Sequence, residues 1–277
     1  MMNKRSFTVL GGDARMRYLV QALRASGHPV AVSCVAGLPD DAPPEALLPR
    51  ADILILPLPT YDKDGTIVGT ALSSEALLAM IPKGTRVFCG KPDAVLAAYP
   101  GVTDLLASPP LIVRNAALTA EGALAAAMTL LPTSVLGGQF LVIGAGRIGM
   151  ALARRLRALG AEVTVSARRK EDFAKIESEA LRAEQTGVYA NGLAQYDCIF
   201  NTVPAKVFTS EHLAKVSPDC LWLELASAPG GLAEEDRVLL GKRFVPCPGL
   251  PGRCSPKTAG ELILSEVFSI LEEEVAL

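Results

Sequence analysis

The sequence predicts two α/β domains, each built on a parallel sheet, and three observations carry that prediction. Short apolar runs alternate with longer segments of helical period along the whole chain, the pattern of strands joined by crossover helices. Both halves open alike, with an apolar strand running straight into a glycine turn: Phe7-Thr8-Val9-Leu10-Gly11-Gly12 and Phe140-Leu141-Val142-Ile143-Gly144. The 277 residues, half of them hydrophobic, are enough for two modest domains, and 24 glycines and 20 prolines suit many tight connections.

Residues 7–10 read as a strand and 15–26 as a helix closed by Gly27. Strands follow at 30–35, 52–56, 86–89 and 111–113, with Pro57, Pro59, Pro82, Pro92, Pro109 and Pro110 at the connections. Thr119-Ala120-Glu121-Gly122 begins an Ala/Leu/Met-rich helix that runs to Leu131 and ends at Pro132 and Gly137-Gly138. In the second half, strands are expected at 140–143, 163–166, near 188, and at 197–201, 221–225 and 243–246, with helices at 147–159, 170–180 and 209–215. A last helix over 257–275 sets Leu262, Ile263, Val267, Phe268, Ile270, Leu271 and Val275 on one stripe. The expected division is a first domain of 1–118, with the helix 257–277 packing back on it, and a second of 119–256 that includes the connecting helix.

Composition excludes several functions. The chain has 27 basic and 29 acidic residues, net −2. That argues against a nucleic-acid or polybasic membrane binder. Met1-Met2-Asn3-Lys4-Arg5 leads directly into the first strand, without the apolar stretch and small-residue cleavage site of a signal peptide. The longest candidate membrane run, Ala123–Leu131, is far below the roughly 18 residues needed to span, so a cytoplasmic protein is expected. The six cysteines form no CxxC pair and read as small buried hydrophobes in a reducing compartment. His28 and His212 have no ligand partner at useful spacing, so no metal is expected.

The stretch FLVIGAGRIGMALARRLRALGAEVTVSARR carries Gly144-x-Gly146-x-x-Gly149 between an apolar strand and a helix, with a second strand within about 30 residues. That context is the Rossmann dinucleotide fingerprint. Gly144 permits the tight turn, Gly146 lets a pyrophosphate approach the backbone, and Gly149 lets helix and strand pack closely. Arg147 and Ile148 open a helix whose N-terminus supplies free N–H groups and partial positive charge. An acid that holds the ribose is expected at the end of the second strand, but the strand ends Ser166-Ala167-Arg168-Arg169-Lys170 with no acid in reach. Ser166 can donate to a phosphate, and Arg168 and Arg169 can neutralise one, bidentately in the case of a guanidinium. NADP is therefore expected rather than NAD. GGDAR at 11–15 is a second glycine turn, without the fingerprint spacing and with Asp13 where a phosphate would approach, so no nucleotide is expected there; in a two-domain dehydrogenase such a turn would face the interdomain cleft.

The strings VLGGDARMRYL, NAALTAEGA, GAGRIGMALARRL, NTVPA, ELASAPGG and LPGRCSPKTAGE, in this order, make the chain resemble the dipicolinate synthase A-subunit family over nearly its whole length. The resemblance implies two Rossmann-like domains arranged as in formate/glycerate dehydrogenases, with a cleft between them. It implies oxidation of a dihydro- or tetrahydropyridine dicarboxylate from the lysine (diaminopimelate) pathway to pyridine-2,6-dicarboxylate during sporulation, in the mother cell. It also implies a partner, a flavoprotein-like B subunit, and a homo-oligomer is expected as well. Ala228 departs from the pattern where Lys or Arg is expected in LASxPGG, and Cys254-Ser255 where a more apolar pair precedes Pro256. The first puts in doubt a role for that basic side chain in holding substrate.

Ligands bind beyond the carboxyl ends of the strands. On that rule Asn201, Thr202, Val203 and Pro204, with Ala226, flank the nicotinamide, Asn201 and Thr202 hydrogen-bonding ribose or carboxamide and Pro204 packing the ring. A dianionic substrate needs donors, for which Arg15, Arg114, Lys206, Arg253, Lys257 and Thr258 are candidates, with Glu121 beside them. A base is available in Asp13, Glu121 or neutral Lys257, with Lys257 and Asp13 ranked first; each has a structural alternative, as turn or cap, first-turn acid and plain cation. Ser255-Pro256 reads as a helix N-cap and first residue, or Thr258-x-x-Glu261 as a capping box. Two alternatives stay open. One is another NADP-linked dehydrogenase of a small carboxylic acid, disfavoured because neither histidine lies at a strand end of the second domain. The other is an NADP-binding regulatory subunit whose partner does the chemistry.

Overall fold

A computed structural model describes residues 5–38, 41–190 and 192–276, and the side chains of the last two of these are not described. Val275 of the expected stripe therefore lies outside the described side chains. The chain forms two compact units, one of residues 1–115 with 255–277 and one of 116–254.

The first unit contains β1 (Phe7–Leu10), α1 (Ala14–Ala25), β2 (Val30–Ser33), α2 (Pro44–Leu47), β3 (Ile53–Ile55), α3 (Ser74–Met80), β4 (Arg86–Cys89), α4 (Ala94–Ala97) and β5 (Val102–Asp104). All five strands are parallel, in the order β2-β1-β3-β4-β5. α5 (Pro109–Leu130) runs through the boundary between the units. The second unit continues with β6 (Gln139–Ile143), α6 (Arg147–Ala158), β7 (Glu162–Ala167), α7 (Lys170–Ser178), β8 (Arg182–Gln185), β9 (Cys198–Asn201), α8 (Ser210–Leu213), β10 (Leu221–Glu224), α9 (Glu234–Leu240), β11 (Phe244–Pro246) and α10 (Leu250–Cys254). Its sheet is again wholly parallel, ordered β11-β10-β9-β6-β7-β8. α11 (Pro256–Ala276) belongs to the first unit.

Parallel strands are covered on both faces, so they read as continuous apolar runs; β1, β3, β9, β10 and the last four residues of β6 are fully buried. Edge strands escape that rule. The expected strand at 111–113 is the first turn of α5, started by Pro109 and Pro110, whose fixed φ and missing N–H suit a helix beginning. The fifth strand is instead Val-Thr-Asp at the sheet edge, only partly buried. The strand expected near 188 is Arg-Ala-Glu-Gln at 182–185, also an edge, while Val188 is exposed. Charged side chains on an edge discourage pairing with another chain.

α5 starts ten residues earlier than expected. At 22 residues, with a mean hydropathy of 1.2 over its most apolar window, it has the length and composition of a membrane span, but 44% of that window is buried inside the protein. Leu111 packs in the core of the first unit and Ala120, Ala123 and Ala127 in that of the second, the behaviour of a core helix.

In the first unit α1 and α11 pack against each other beneath the sheet, joining Met16, Leu19, Val20 and Leu23 to Ile263, Leu264, Val267 and Leu271. The contact requires Gly260. A Cβ there would lie 2.4 Å from the Arg15 carbonyl oxygen and 3.0 Å from the Leu19 nitrogen, both backbone atoms. Gly260→Ala gains up to about 1 kcal/mol of helix propensity but overpacks this contact at a cost of about 1–3 kcal/mol. A net loss of about 1 kcal/mol is expected in urea unfolding; a gain in stability would show that the helices separate freely.

Four cysteines are buried, Cys34 is partly buried and Cys254 exposed, all as free thiols. Burial pushes the Cys89 and Cys220 thiols up to about 12 and Cys198 well above its ordinary value, which makes them unreactive packing groups.

Candidate functional site

The second unit places its ligand-binding edge where the sheet topology dictates. β6 has β7 on one side and β9 on the other, so the strand order reverses beside it and opens a crevice at the carboxyl ends. The fingerprint turn lies at that point. Gly144 has φ 104°, and a Cβ on it would meet Thr202 Oγ1 at 2.5 Å and Val203 Cγ2 at 2.8 Å. At Gly149 a Cβ would lie 1.9 Å from the Gly144 carbonyl oxygen, so helix α6 packs directly on the turn. Gly146 is different: a Cβ there would meet nothing within 4 Å, which leaves space over the backbone. Gly146 is also the N-cap of α6; no side chain caps it and no acid occupies the first turn. Arg147 is exposed and Ile148 half-buried beside it. These amides and the helix dipole are therefore available to a diphosphate.

A cleft of ≈ 290 Å³ extends from this turn across the end of β7. Its walls are Gly144–Gly146, Ser166–Arg169 and Asp172, closed by Thr186, Val203 and Val207. Ser166 is wholly buried and accepts a hydrogen bond from Thr186 Oγ1 at 3.1 Å, so it forms the floor. Burial pushes the neighbouring Tyr189 hydroxyl up to about 12, a neutral phenol.

Arg168 and Arg169 are not equivalent. Arg168 is exposed at the rim and forms no ion pair among the described residues. Arg169 grips Asp172 with two hydrogen bonds, Nε to Oδ2 at 2.9 Å and a terminal nitrogen to Oδ1 at 3.1 Å. That hydrogen bond, with the charge behind it, holds Asp172 below the usual carboxylate range and raises the Arg169 guanidinium. An acid is thus in reach of the cleft after all, in the first turn of α7, where the strand-end pattern does not look for it. Lys175 on α7 donates to the Ala145 carbonyl at 3.5 Å, a cation beside the turn that the sequence did not single out.

Asn201 is not available to a ligand. It is wholly buried, and its amide nitrogen donates to Glu224 Oε1 at 2.6 Å and to the Val203 carbonyl at 2.9 Å; the amide is spent inside the protein. Thr202 donates to the Ile143 carbonyl at 2.8 Å. Val203 lines the cleft, Pro204 and Lys206 are exposed, and Ala226 is partly buried at the end of β10.

The candidate acids Asp13 and Glu121 are also engaged. Asp13 is the N-cap of α1 and binds the Arg15 guanidinium bidentately, at 2.9–3.1 Å. Burial raises its proton affinity, but the Arg15 hydrogen bonds and charge outweigh that, and the carboxyl sits below its ordinary value. Such a carboxylate is a weak base. Glu121 is not a first-turn acid, because α5 begins at Pro109; it lies mid-helix, paired with Arg155 at 2.9 Å. Lys257 lies 3.9 Å from Glu261 in a mostly exposed pair, while Thr258, Arg114 and Arg253 are exposed. Pro256 is the first residue of α11.

The glycine turn of the first unit is closed by the protein itself. Gly12 donates to the Val68 carbonyl and Gly11 to Ser33, each at 2.8 Å, and a Cβ on Gly11 would lie 2.3 Å from the Val68 oxygen. The segment around Val68 therefore lies where a phosphate would enter.

Residues 6–100 match the family described as the N-terminal domain of the dipicolinate synthase A subunit, and residues 111–230 match the D-isomer specific 2-hydroxyacid dehydrogenase NAD binding domain. The second unit is therefore a nicotinamide-dinucleotide-binding domain of dehydrogenase type. The dipicolinate synthase A subunit of Bacillus subtilis (strain 168) is 28% identical over 298 residues, 99% of this chain and 98% of that protein. The crystal structure of the dipicolinate synthase A subunit from Bacillus halodurans superposes with a TM-score of 0.86 at 25% identity, over 98% of this chain and 99% of that one. D-lactate dehydrogenase from Escherichia coli, at 12% identity and a TM-score of 0.61 over 98% of both chains, shares the fold alone. From end to end the chain resembles the dipicolinate synthase A subunit, with that family's N-terminal domain first and a dehydrogenase NAD-binding domain after it.

Proposed function

We propose that the chain is the NADP-dependent A subunit of a two-subunit dipicolinate synthase, oxidising a dihydro- or tetrahydrodipicolinate to pyridine-2,6-dicarboxylate in the cytoplasm of a sporulating mother cell, in partnership with a B subunit. The observation that supports NADP is Arg168, an uncommitted guanidinium at the rim of the cleft beyond β7, the strand whose end reads the adenosine ribose in this fold. Gly144, Gly146 and the start of α6 would hold the diphosphate, Arg168 the 2′-phosphate, and Thr202 to Pro204 with Ala226 the nicotinamide half. When bound, NADP supplies a hydride acceptor.

A dihydrodipicolinate becomes aromatic by losing one hydride and one proton, and a ring carrying a hydroxyl at the tetrahydro level loses water first. The chain's own part is to hold the two carboxylates; Lys206 and Arg253 are exposed donors of the second unit, and, taken by itself, the first unit exposes Arg114, Lys257 and Thr258. Aromaticity drives the proton loss, so a strong base is unnecessary. Asp13, whose carboxylate is held by Arg15, is a weak base, and Lys257, in an ion pair with Glu261 at 3.9 Å, serves as a cation.

Those commitments also favour a second reading, in which the chain binds NADP and the B subunit supplies part of the chemistry. Mixing the purified chain with NADP and freshly made dihydrodipicolinate separates the two. NADPH absorbance without the B subunit supports catalysis here; absorbance only with it moves the chemistry to the complex; none with both subunits overturns the substrate.

The Asp172 clamp makes a further prediction. Asp172→Asn releases Arg169 and removes a negative charge from the cleft, so NADP binding is expected to tighten about threefold to tenfold, the effect shrinking as salt is raised. Titration of NADPH by its fluorescence at two ionic strengths measures it; weaker binding would mean that the clamp orients Arg169 for the phosphate.

A further inference from the structure

One buried carboxylate has no place in the binding scheme above. Glu224, the last residue of β10, is 7% exposed and is surrounded by N–H donors from three segments. Oε1 accepts from Asn201 Nδ2 at 2.6 Å and from the Ala226 amide at 3.2 Å. Oε2 accepts from the Gly231 amide at 3.0 Å and from Trp222 Nε1 at 3.2 Å. Asn201 closes the loop after β9 in turn, donating to the Val203 carbonyl and accepting from the Val203 amide at 3.1 Å. The loop after β10 is packed equally close, since a Cβ on Gly231 would lie 2.6 Å from Asn201 Nδ2. Arg237 of α9 clamps the far side of this loop by donating to the Pro229 and Leu232 carbonyls.

We propose that the Glu224–Asn201 pair is a positioning brace that ties the loops after β9 and β10 into one rigid wall and thereby sets the nicotinamide half of the cofactor site. The proposal rests on the dinucleotide reading of the second unit. Its logic is geometric. β9 and β10 are adjacent parallel strands whose ends lie on the opposite side of β6 from the β7 end, so the brace supports the half of a dinucleotide that Arg168 does not touch. Buried polar groups of this kind tolerate no mismatch. All four neighbours of Glu224 offer N–H groups, so a glutamine there must set its own NH₂ against a donor and leave at least one buried group unsatisfied.

Glu224→Gln is the test, on the full chain, with NADPH and with 2′,5′-ADP, which carries the adenosine half alone. Trp222 is the chain's single tryptophan, so its emission reports directly on the brace. The variant is expected to bind NADPH at least tenfold more weakly, to keep 2′,5′-ADP affinity within twofold, and to shift the tryptophan emission. Equal weakening of both ligands, or no change in either, overturns the brace. If Glu224→Gln fails to fold, Gly231→Ala keeps every hydrogen-bonding group, pushes only the two loops apart, and is expected to give the same split. Failure of the wild-type chain to bind any dinucleotide overturns the underlying site instead; wild type that binds NADH in place of NADPH is tested in the same way with 5′-AMP.

Discussion

Gly149→Ala is expected to abolish dinucleotide binding and to destabilise the second unit by about 3 kcal/mol, the upper end of the range for overpacked sites. A Cβ at this position would lie 1.9 Å from the Gly144 carbonyl oxygen, and that oxygen has nowhere to go. Gly144 sits at φ 104°, its amide donates to the Ser166 carbonyl at 2.9 Å, and Thr202 Oγ1 and Val203 stand against its other side. Relief therefore requires α6 to move off the sheet. The helix buries Met150, Leu152, Ala153 and Leu156 in the same core as β6 and β7, so the movement costs both packing and the position of the amides at its start. Gly146→Ala provides the contrast. Its Cβ meets no protein atom and its φ of −75° is ordinary, so stability should be unchanged while binding falls, because the new methyl stands in the space meant for the diphosphate. Thermal unfolding and NADPH titration of both variants check the pair; equal unfolding for both would mean that glycine is needed at these positions for folding alone.

The centre of each sheet and the edge strands β2 and β11 were legible in the sequence, and the edges β5 and β8 were not. β1, β4, β6, β7, β9 and β10 are apolar runs because both faces are covered. β5 and β8 read as Val-Thr-Asp and Arg-Ala-Glu-Gln, which carry no apolar signal because an edge strand is partly solvated. Leu111-Ile112-Val113 mimics a fifth strand, since a short apolar run alone does not distinguish strand from helix. The site divides in a similar way. Glycines and the arginines after β7 are backbone and charge requirements tied to fixed spacings, and they are visible in a string of letters. The commitments of Asn201, Asp172 and Glu224 depend on which partners the fold brings within 3 Å, and residues 23 apart along the chain, such as Asn201 and Glu224, leave no local pattern. Asp172 carried a readable hint, an acid three residues after an arginine at a helix start.

Arg168→Asp is expected to weaken NADP binding on the order of 100-fold and NAD binding by no more than about threefold, since two charge-assisted hydrogen bonds to a phosphate are replaced by repulsion. The two arginines predict different outcomes because only one is uncommitted. Arg169 already satisfies the carboxylate of Asp172 through two hydrogen bonds, so removing it exposes that acid to the cleft as well as deleting a cation. Arg168 has no such partner among the described residues, so its substitution reads the phosphate interaction alone. Exposed charges are screened by salt, so raising the ionic strength should reduce the preference for NADP over NAD in the wild type and, with the opposite sign, relieve the discrimination against NADP in Arg168→Asp. The Gly144–Gly149 turn is untouched by the substitution, so residual NAD binding serves as the internal control for an intact diphosphate site. Equal loss of both cofactors would show that Arg168 shapes the loop after β7 without reading the 2′-phosphate, and would leave Lys175, which already contacts the turn at Ala145, as the cation to substitute next.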